Sequence, residues 1–288
     1  MESGTLEARD GARIHWTARG GAGEPVVVPG AWMLASHLDA VAGERPILFY
    51  DMRSRGRSAR IDDPEELGFD RDVRDLEVVR RHTGEERITV VGFSYLGGVA
   101  ARWAMRHPER VRRLVLLGSV PPRSPAGYTE AAPDPAEFVD PEAMRRLEEL
   151  RAAGTDDSDP AAYCRQYWRT MLPAYTAGPE AAERLAGELD LGCDLPNERP
   201  AEFGRVLGHV MADLETYDWR EEARALDAPA LVVHGEEDHV APFGGAREWA
   251  ELLPDSALET VPDAGHLLWA ERPARVRGAI RGFLARGG

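Results

Sequence analysis

The chain has 288 residues, 43% hydrophobic and 30% charged, with a formal net charge of −15. This is ordinary globular usage, which excludes a disordered chain, and the negative balance argues against nucleic acid or an anionic membrane surface as a partner. All 35 cations are arginine, so a phosphate-loop lysine, a Schiff-base lysine and lysine-bound pyridoxal phosphate are excluded as well.

Along the chain, the first 16 residues are polar and mixed in charge, with no basic cap before an apolar stretch, so no secretory leader is expected. Short apolar runs at 26–28, 47–50, 88–91, 114–117, 230–233 and 257–261 read as strands buried on both faces. Helical patterns follow or separate them at 36–41, 71–83, 95–107, 245–253 and 273–286; Pro108 stops the third and Pro273 opens the last. That alternation predicts an α/β fold with a mostly parallel, doubly wound sheet. It lapses between 120 and 224, where a proline-rich linker (Pro121, Pro122, Pro125, Pro133, Pro135) leads into helical patterns at 142–152, 161–172 and 200–214. The expected organisation is a core of residues 1–119 and 225–288 interrupted by a helical cap at 120–224. The longest apolar run, 31–35, is far shorter than the ~20 residues that cross a bilayer. Cys164 and Cys193 are too few for a disulfide framework and read as unpaired thiols in a reducing, cytoplasmic compartment.

The strongest chemical signal lies at 87–105, where a buried strand turns sharply through Gly92-Phe93-Ser94-Tyr95 into a helix. A serine at such a bend stands above the carboxyl ends of the strands, and the next backbone N–H faces any developing oxyanion. Two later loops supply partners: Asp238 follows the 230–233 strand and His266 follows the 257–261 strand. The chain order Ser94, Asp238, His266 suits a nucleophile, its orienting acid and its base. Glu236 and Glu237 are rival acids, and His234, Glu236, Glu237, Asp238 and His239 could be read as a metal cluster, although they lack a helical i, i+4 frame.

These motifs, with V-V-V-P-G-A-W (26–32), F-Y-D-M-R-S-R-G-R-S (49–58) and H-P-E-R-V-R-R-L-V-L-L (107–117), resemble the α/β-hydrolase superfamily over nearly the whole chain. The capped serine hydrolases that include proline iminopeptidases are the most similar group. The resemblance implies Ser94 as nucleophile, His266 as base, Asp238 as acid, and the N–H groups of Ala31 and Tyr95 as an oxyanion hole, with no cofactor and no metal. Leucine at 96, proline at 29 and serine at 54 depart from the family pattern. Leu96 is expected in the first turn of the helix after Ser94, packed between that helix and the sheet.

The region 120–224 holds five of the seven tyrosines, which favours an apolar pocket over the site; Trp32, Tyr167 and Trp168 are candidate walls. The expected activity is hydrolysis of a small carboxylic ester or amide through an acyl-serine. One alternative is an iminopeptidase, with Asp194, Glu198, Asp213 or Glu215 receiving the substrate amine. Another is a silent binder of a small molecule.

Overall fold

A computed structural model describes residues 1–128 and 135–286. Eight strands, β1 (Glu2–Glu7), β2 (Arg13–Arg19), β3 (Val26–Pro29), β4 (Ile47–Tyr50), β5 (Ile88–Phe93), β6 (Val111–Leu117), β7 (Ala230–Gly235) and β8 (Ser256–Val261), form one sheet in the order β1-β2-β4-β3-β5-β6-β7-β8. From β4 onward every pairing is parallel, while β1 and β2 join antiparallel at one edge. The central strands β3, β4, β5 and β7 are buried along their whole length, as their Val, Ile and Leu runs require. The edge hairpin leaves no clear strand pattern in the sequence, because β1 (ESGTLE) alternates between exposed and half-buried positions and carries only one large apolar residue.

Side-chain alternation splits the core into two layers. Val27, Val90, Leu114, Leu116 and Val232 face α2 (Phe69–His82), α3 (Tyr95–Arg106) and α10 (Phe243–Leu252). Val26, Val28, Val91, Val115, Leu117 and Val233 face α1 (Ala31–Leu38), α11 (Leu268–Glu271) and α12 (Pro273–Ala285). The first helix starts five residues earlier than the apolar pattern suggests, because Gly30 takes a left-handed φ of 92° and launches the helix directly from β3.

Between β6 and β7 lies a helical segment: α4 (Pro141–Ala152), α5 (Thr155–Ser158), α6 (Pro160–Tyr175), α7 (Pro179–Ala186), α8 (Pro200–Ala212) and α9 (Arg220–Arg224). Asp140 and Asp159 cap α4 and α6 by accepting backbone N–H bonds, and a proline occupies the first turn of each. Its two ends run side by side. Trp219 donates its N–H to the Pro122 carbonyl at 2.8 Å and Ser124 donates to that of Tyr217 at 2.9 Å, so the segment leaves and rejoins the sheet at one neck. Of the proline-rich linker, Pro133 lies outside the described residues.

The cysteines correct the reading of two unpaired thiols. Cys164 on α6 and Cys193 in the loop before α8 are disulfide-bonded, with Cα atoms 5.5 Å apart. Two cysteines cannot make a framework, but the fold brings this pair face to face, and a single staple inside the helical segment needs no more than that. The argument from free thiols to a reducing compartment therefore lapses. Among the described residues no helix is long and apolar enough to cross a membrane.

Candidate active site

Ser94 sits between β5 and α3 with φ 54° and ψ −129°, a conformation that costs a residue bearing a Cβ on the order of 1–3 kcal/mol and persists only where the surroundings impose it. The surroundings do so through close packing. A Cβ on Gly92 would lie 2.4 Å from the Leu96 carbonyl oxygen, and one on Gly97 would lie 2.5 Å from Ser119 Oγ. The Ser94 N–H donates to the Leu117 carbonyl at 2.9 Å, and the Ser94 carbonyl accepts from Val120 at 3.2 Å. The turn is thus pinned to the adjacent strand on both sides.

Ser94 Oγ lies 2.9 Å from His266 Nε2, and His266 Nδ1 lies 2.9 Å from Asp238 Oδ2. These contacts assign the Nδ1–H tautomer, with the serine hydroxyl donating to Nε2. Asp238 is sequestered, and its Oδ1 accepts from the N–H groups of Val240 and Ala241, both at 2.9 Å. Burial alone would push its carboxyl up. His266, then His234 and the Ala241 N–H, outweigh that and bring it below the usual carboxylate value.

His234 occupies β7 directly behind this carboxylate. Its Nε2 faces the Ala241 carbonyl at 3.1 Å and Asp238 Oδ2 at 3.4 Å, and burial pushes its imidazole below the ordinary value. The metal reading finds no support in this arrangement, since among the described residues no group of three His, Cys, Asp or Glu is placed to hold an ion.

Ala31 and Tyr95 are the first residues of α1 and α3, and no backbone acceptor among the described residues takes their N–H groups. Helix starts leave such donors free. The loop carrying Ala31 is held by Asp51, whose Oδ1 accepts from Trp32 and whose Oδ2 accepts from Arg57, both at 2.9 Å. Burial raises the Asp51 carboxyl to about 6 despite those two N–H donors. Leu96 is buried in the first turn of α3 as expected, and it also reaches across to Gly30, where a Cβ would stand 3.1 Å from its Cδ1. It joins the two helix starts that carry the free N–H groups.

The His266 loop is docked against the end of α6. Leu267 donates to the Tyr175 carbonyl at 3.0 Å, and Glu271 accepts from Gly265 and from Ala177, each at 2.8 Å. Burial raises the Glu271 carboxyl in spite of these two donors. No sequence signal marks this role, because Glu271 lies five residues beyond His266 and its two partners are backbone N–H groups.

Above Ser94 and His266 opens a cavity of about 250 Å³ with aromatic and aliphatic walls. Trp32 and Trp168 line it, whereas Tyr167, one step round α6, lies outside it and packs edge-on to Trp168 with ring centres 5.3 Å apart. Arg55 and Glu198 line it as well. Glu198 is one of the candidate acids named from the sequence; Arg55 belongs to the 49–58 motif, where nothing in the local pattern marks it as a cavity residue.

The chain matches the alpha/beta hydrolase fold family over residues 20–273 and belongs to it. A non-heme haloperoxidase from Rhodococcus erythropolis is 28% identical over 275 residues, covering 91% of this chain and 92% of that protein. A 2-hydroxymuconate semialdehyde hydrolase from Pseudomonas putida is 30% identical over 210 residues, 70% of this chain and 64% of that one. Among solved structures, an esterase from Rhodococcus sp. ECU1013 superposes with a TM-score of 0.72 at 25% identity, covering all of both chains. Hydrolytic enzymes, esterases among them, are thus its structural and sequence relatives.

Proposed function

We propose that the protein is a serine hydrolase that cleaves a small carboxylic ester through an acyl-serine intermediate. The observation that carries this reading is the continuous hydrogen-bonded line from Ser94 Oγ through His266 to Asp238, opening into an apolar cavity beside two free helix-start N–H groups. Ser94 Oγ attacks the substrate carbonyl carbon while its proton passes to His266 Nε2, and Asp238 stabilises the imidazolium. The carbonyl oxygen takes up the negative charge opposite the N–H groups of Ala31 and Tyr95. Collapse breaks the ester C–O bond, and the departing alcohol takes the proton from His266. Water then gives a proton to the same nitrogen as it attacks the acyl-serine, and Ser94 regains its proton as the acid leaves.

Residues 120–224 act in this reading as a cap over the site, contributing Trp168, Tyr175, Glu198 and Phe203 to the cavity wall. The iminopeptidase alternative needs a carboxylate free to take an ammonium group. Asp194 is exposed and faces Arg165, Asp213 accepts from the Phe69 N–H, Glu215 is exposed, and Glu198 is already ion-paired. The ester reading is favoured on that ground. A cytoplasmic location loses its cysteine argument, and the reaction does not depend on it.

The test is turnover of p-nitrophenyl esters against aminoacyl-naphthylamides. Ester hydrolysis without naphthylamide hydrolysis is expected. Preferential release from prolyl-naphthylamide would replace the esterase reading with the iminopeptidase one.

A further inference from the structure

Arg55 comes from the loop between β4 and α2, and Glu198 comes from the turn before α8, yet the two meet at the cavity wall. Arg55 Nε donates to Glu198 Oε1 at 3.1 Å and Nη2 donates to Oε2 at 2.8 Å. The Gly56 N–H adds a third donor to Oε1 at 2.6 Å. The guanidinium carbon lies 4.4 Å from the Trp32 ring centre and 4.9 Å from that of Phe203, so two aromatic rings pack against the cation. Both side chains are 3% exposed. Among the described residues, and apart from the reacting histidine, these two are the only ionisable side chains besides tyrosines in a wall of Trp, Phe, Leu, Met, Val and Pro residues.

The geometry points to the Arg55–Glu198 pair as a charge-neutral selectivity wall, which sets the substrate class as an ester whose acid part is uncharged and apolar. This rests on the reading of Ser94 as the nucleophile. A carboxylate on the acyl chain would shed its water beside Glu198, whose two oxygens already hold three donors. An ammonium group would do so beside Arg55. Neither ion finds an uncompensated counter-charge, and burying an ion without one is strongly unfavourable. Both charges are nevertheless present, so removing one of them should admit an ion of the sign removed.

The experiment compares kcat/KM for p-nitrophenyl pentanoate with that for the mono-p-nitrophenyl ester of glutaric acid, which has a similar chain ending in a carboxylate. In the wild type the anionic ester is expected to be at least ~100-fold poorer. Glu198→Gln leaves Arg55 unpaired and should improve the anionic ester relative to the neutral one by ~10-fold or more. The double variant Arg55→Gln/Glu198→Gln should return the ratio to the wild-type side. A wild-type ratio near one overturns the inference, as does an unchanged ratio in a folded Glu198→Gln protein, which would leave the pair as a latch between cap and core. Should Glu198→Gln fail to fold, Arg55→Gln decides: it leaves Glu198 unpaired and should improve the p-nitrophenyl ester of 4-(trimethylammonio)butanoic acid relative to the neutral ester by ~10-fold or more, and an unchanged ratio there overturns the inference. Fluorophosphonate labelling of the same samples separates the two readings. Absence of a Ser94 adduct in wild type sinks the proposed function, whereas a normal adduct with a ratio near one sinks only the selectivity wall.

Discussion

The strand-end site and the helical segment above it are built on different terms. Ser94, Asp238 and His266 each stand on a turn that follows β5, β7 or β8, and the backbone there is fixed by glycines that admit no Cβ and by hydrogen bonds to neighbouring strands. The helical segment is held by apolar packing, one disulfide, the neck at Pro122–Trp219 and a few polar ties such as Asn197 Nδ2 to the Gly56 and Ser58 carbonyls. The proposed reacting groups sit where the backbone has one option, and much of the proposed substrate wall sits where side chains can change without moving them. The two regions should therefore fail separately.

The largest effect is expected at the strand ends. Ser94→Ala should lower kcat/KM on a neutral ester by at least about 10³-fold, with a melting temperature close to wild type, since no cavity is created. Activity within tenfold of wild type would remove the distinction between the two regions altogether.

Replacing both cysteines by serine strikes only the helical segment. The bond closes a loop with a sequence separation of 29 residues, and its loss should cost roughly 3–4 kcal/mol. Limited proteolysis should then cut first within 120–224, while Ser94 still reacts with a fluorophosphonate. Cleavage spread evenly over the chain would contradict that independence.

Asp51 gives a pH-dependent way to sharpen the contrast, because it holds the loop of Ala31 by two N–H bonds and meets the segment above only through the charge of Glu198, which adds to the rise of its carboxyl. Its carboxyl binds a proton more tightly when folded, at about 6, than at its ordinary value of 3.8. Its contribution to stability is therefore complete below pH 3.8 and is lost as the pH rises through about 6, by roughly 3 kcal/mol in all. Asp51→Asn does not titrate, so melting curves should shift in the variant's favour, relative to wild type, between about pH 4 and pH 7. Curves that stay parallel would show that this carboxyl is not raised.

The smallest effect falls where the regions touch. Glu271→Gln turns one acceptor into a donor facing the Gly265 or Ala177 N–H, and it should lower kcat about tenfold with KM little changed. A change in KM alone would place Glu271 with the cavity wall and not with His266.

The same contrast explains what was legible in the sequence. Buried parallel strands write continuous apolar runs, and a sharp strand-turn-helix must write Gly-x-Ser, so six strands and the three side chains that meet in the hydrogen-bonded line could be read directly. The hairpin β1–β2 could not, since an edge strand shares its burial between apolar and polar residues. Nor could the pairing of Cys164 with Cys193, of Arg55 with Glu198, or of Glu271 with two backbone N–H groups. Those depend on how the helical segment folds back over the loops, and no local pattern records it. Tyr167 and Trp168 show the limit at single-residue scale: both suit a pocket by composition, and a step of 100° around α6 leaves only Trp168 on the wall of the cavity above Ser94.

The central claim is that Ser94 is the nucleophile, and the most direct measurement is mass spectrometry of the intact protein after reaction with a fluorophosphonate, followed by peptide mapping. One adduct per chain on the peptide that holds Ser94, gained in step with the loss of ester hydrolysis and absent from Ser94→Ala, is the predicted result. An adduct on another residue, or full loss of activity with Ser94 unmodified, would contradict it.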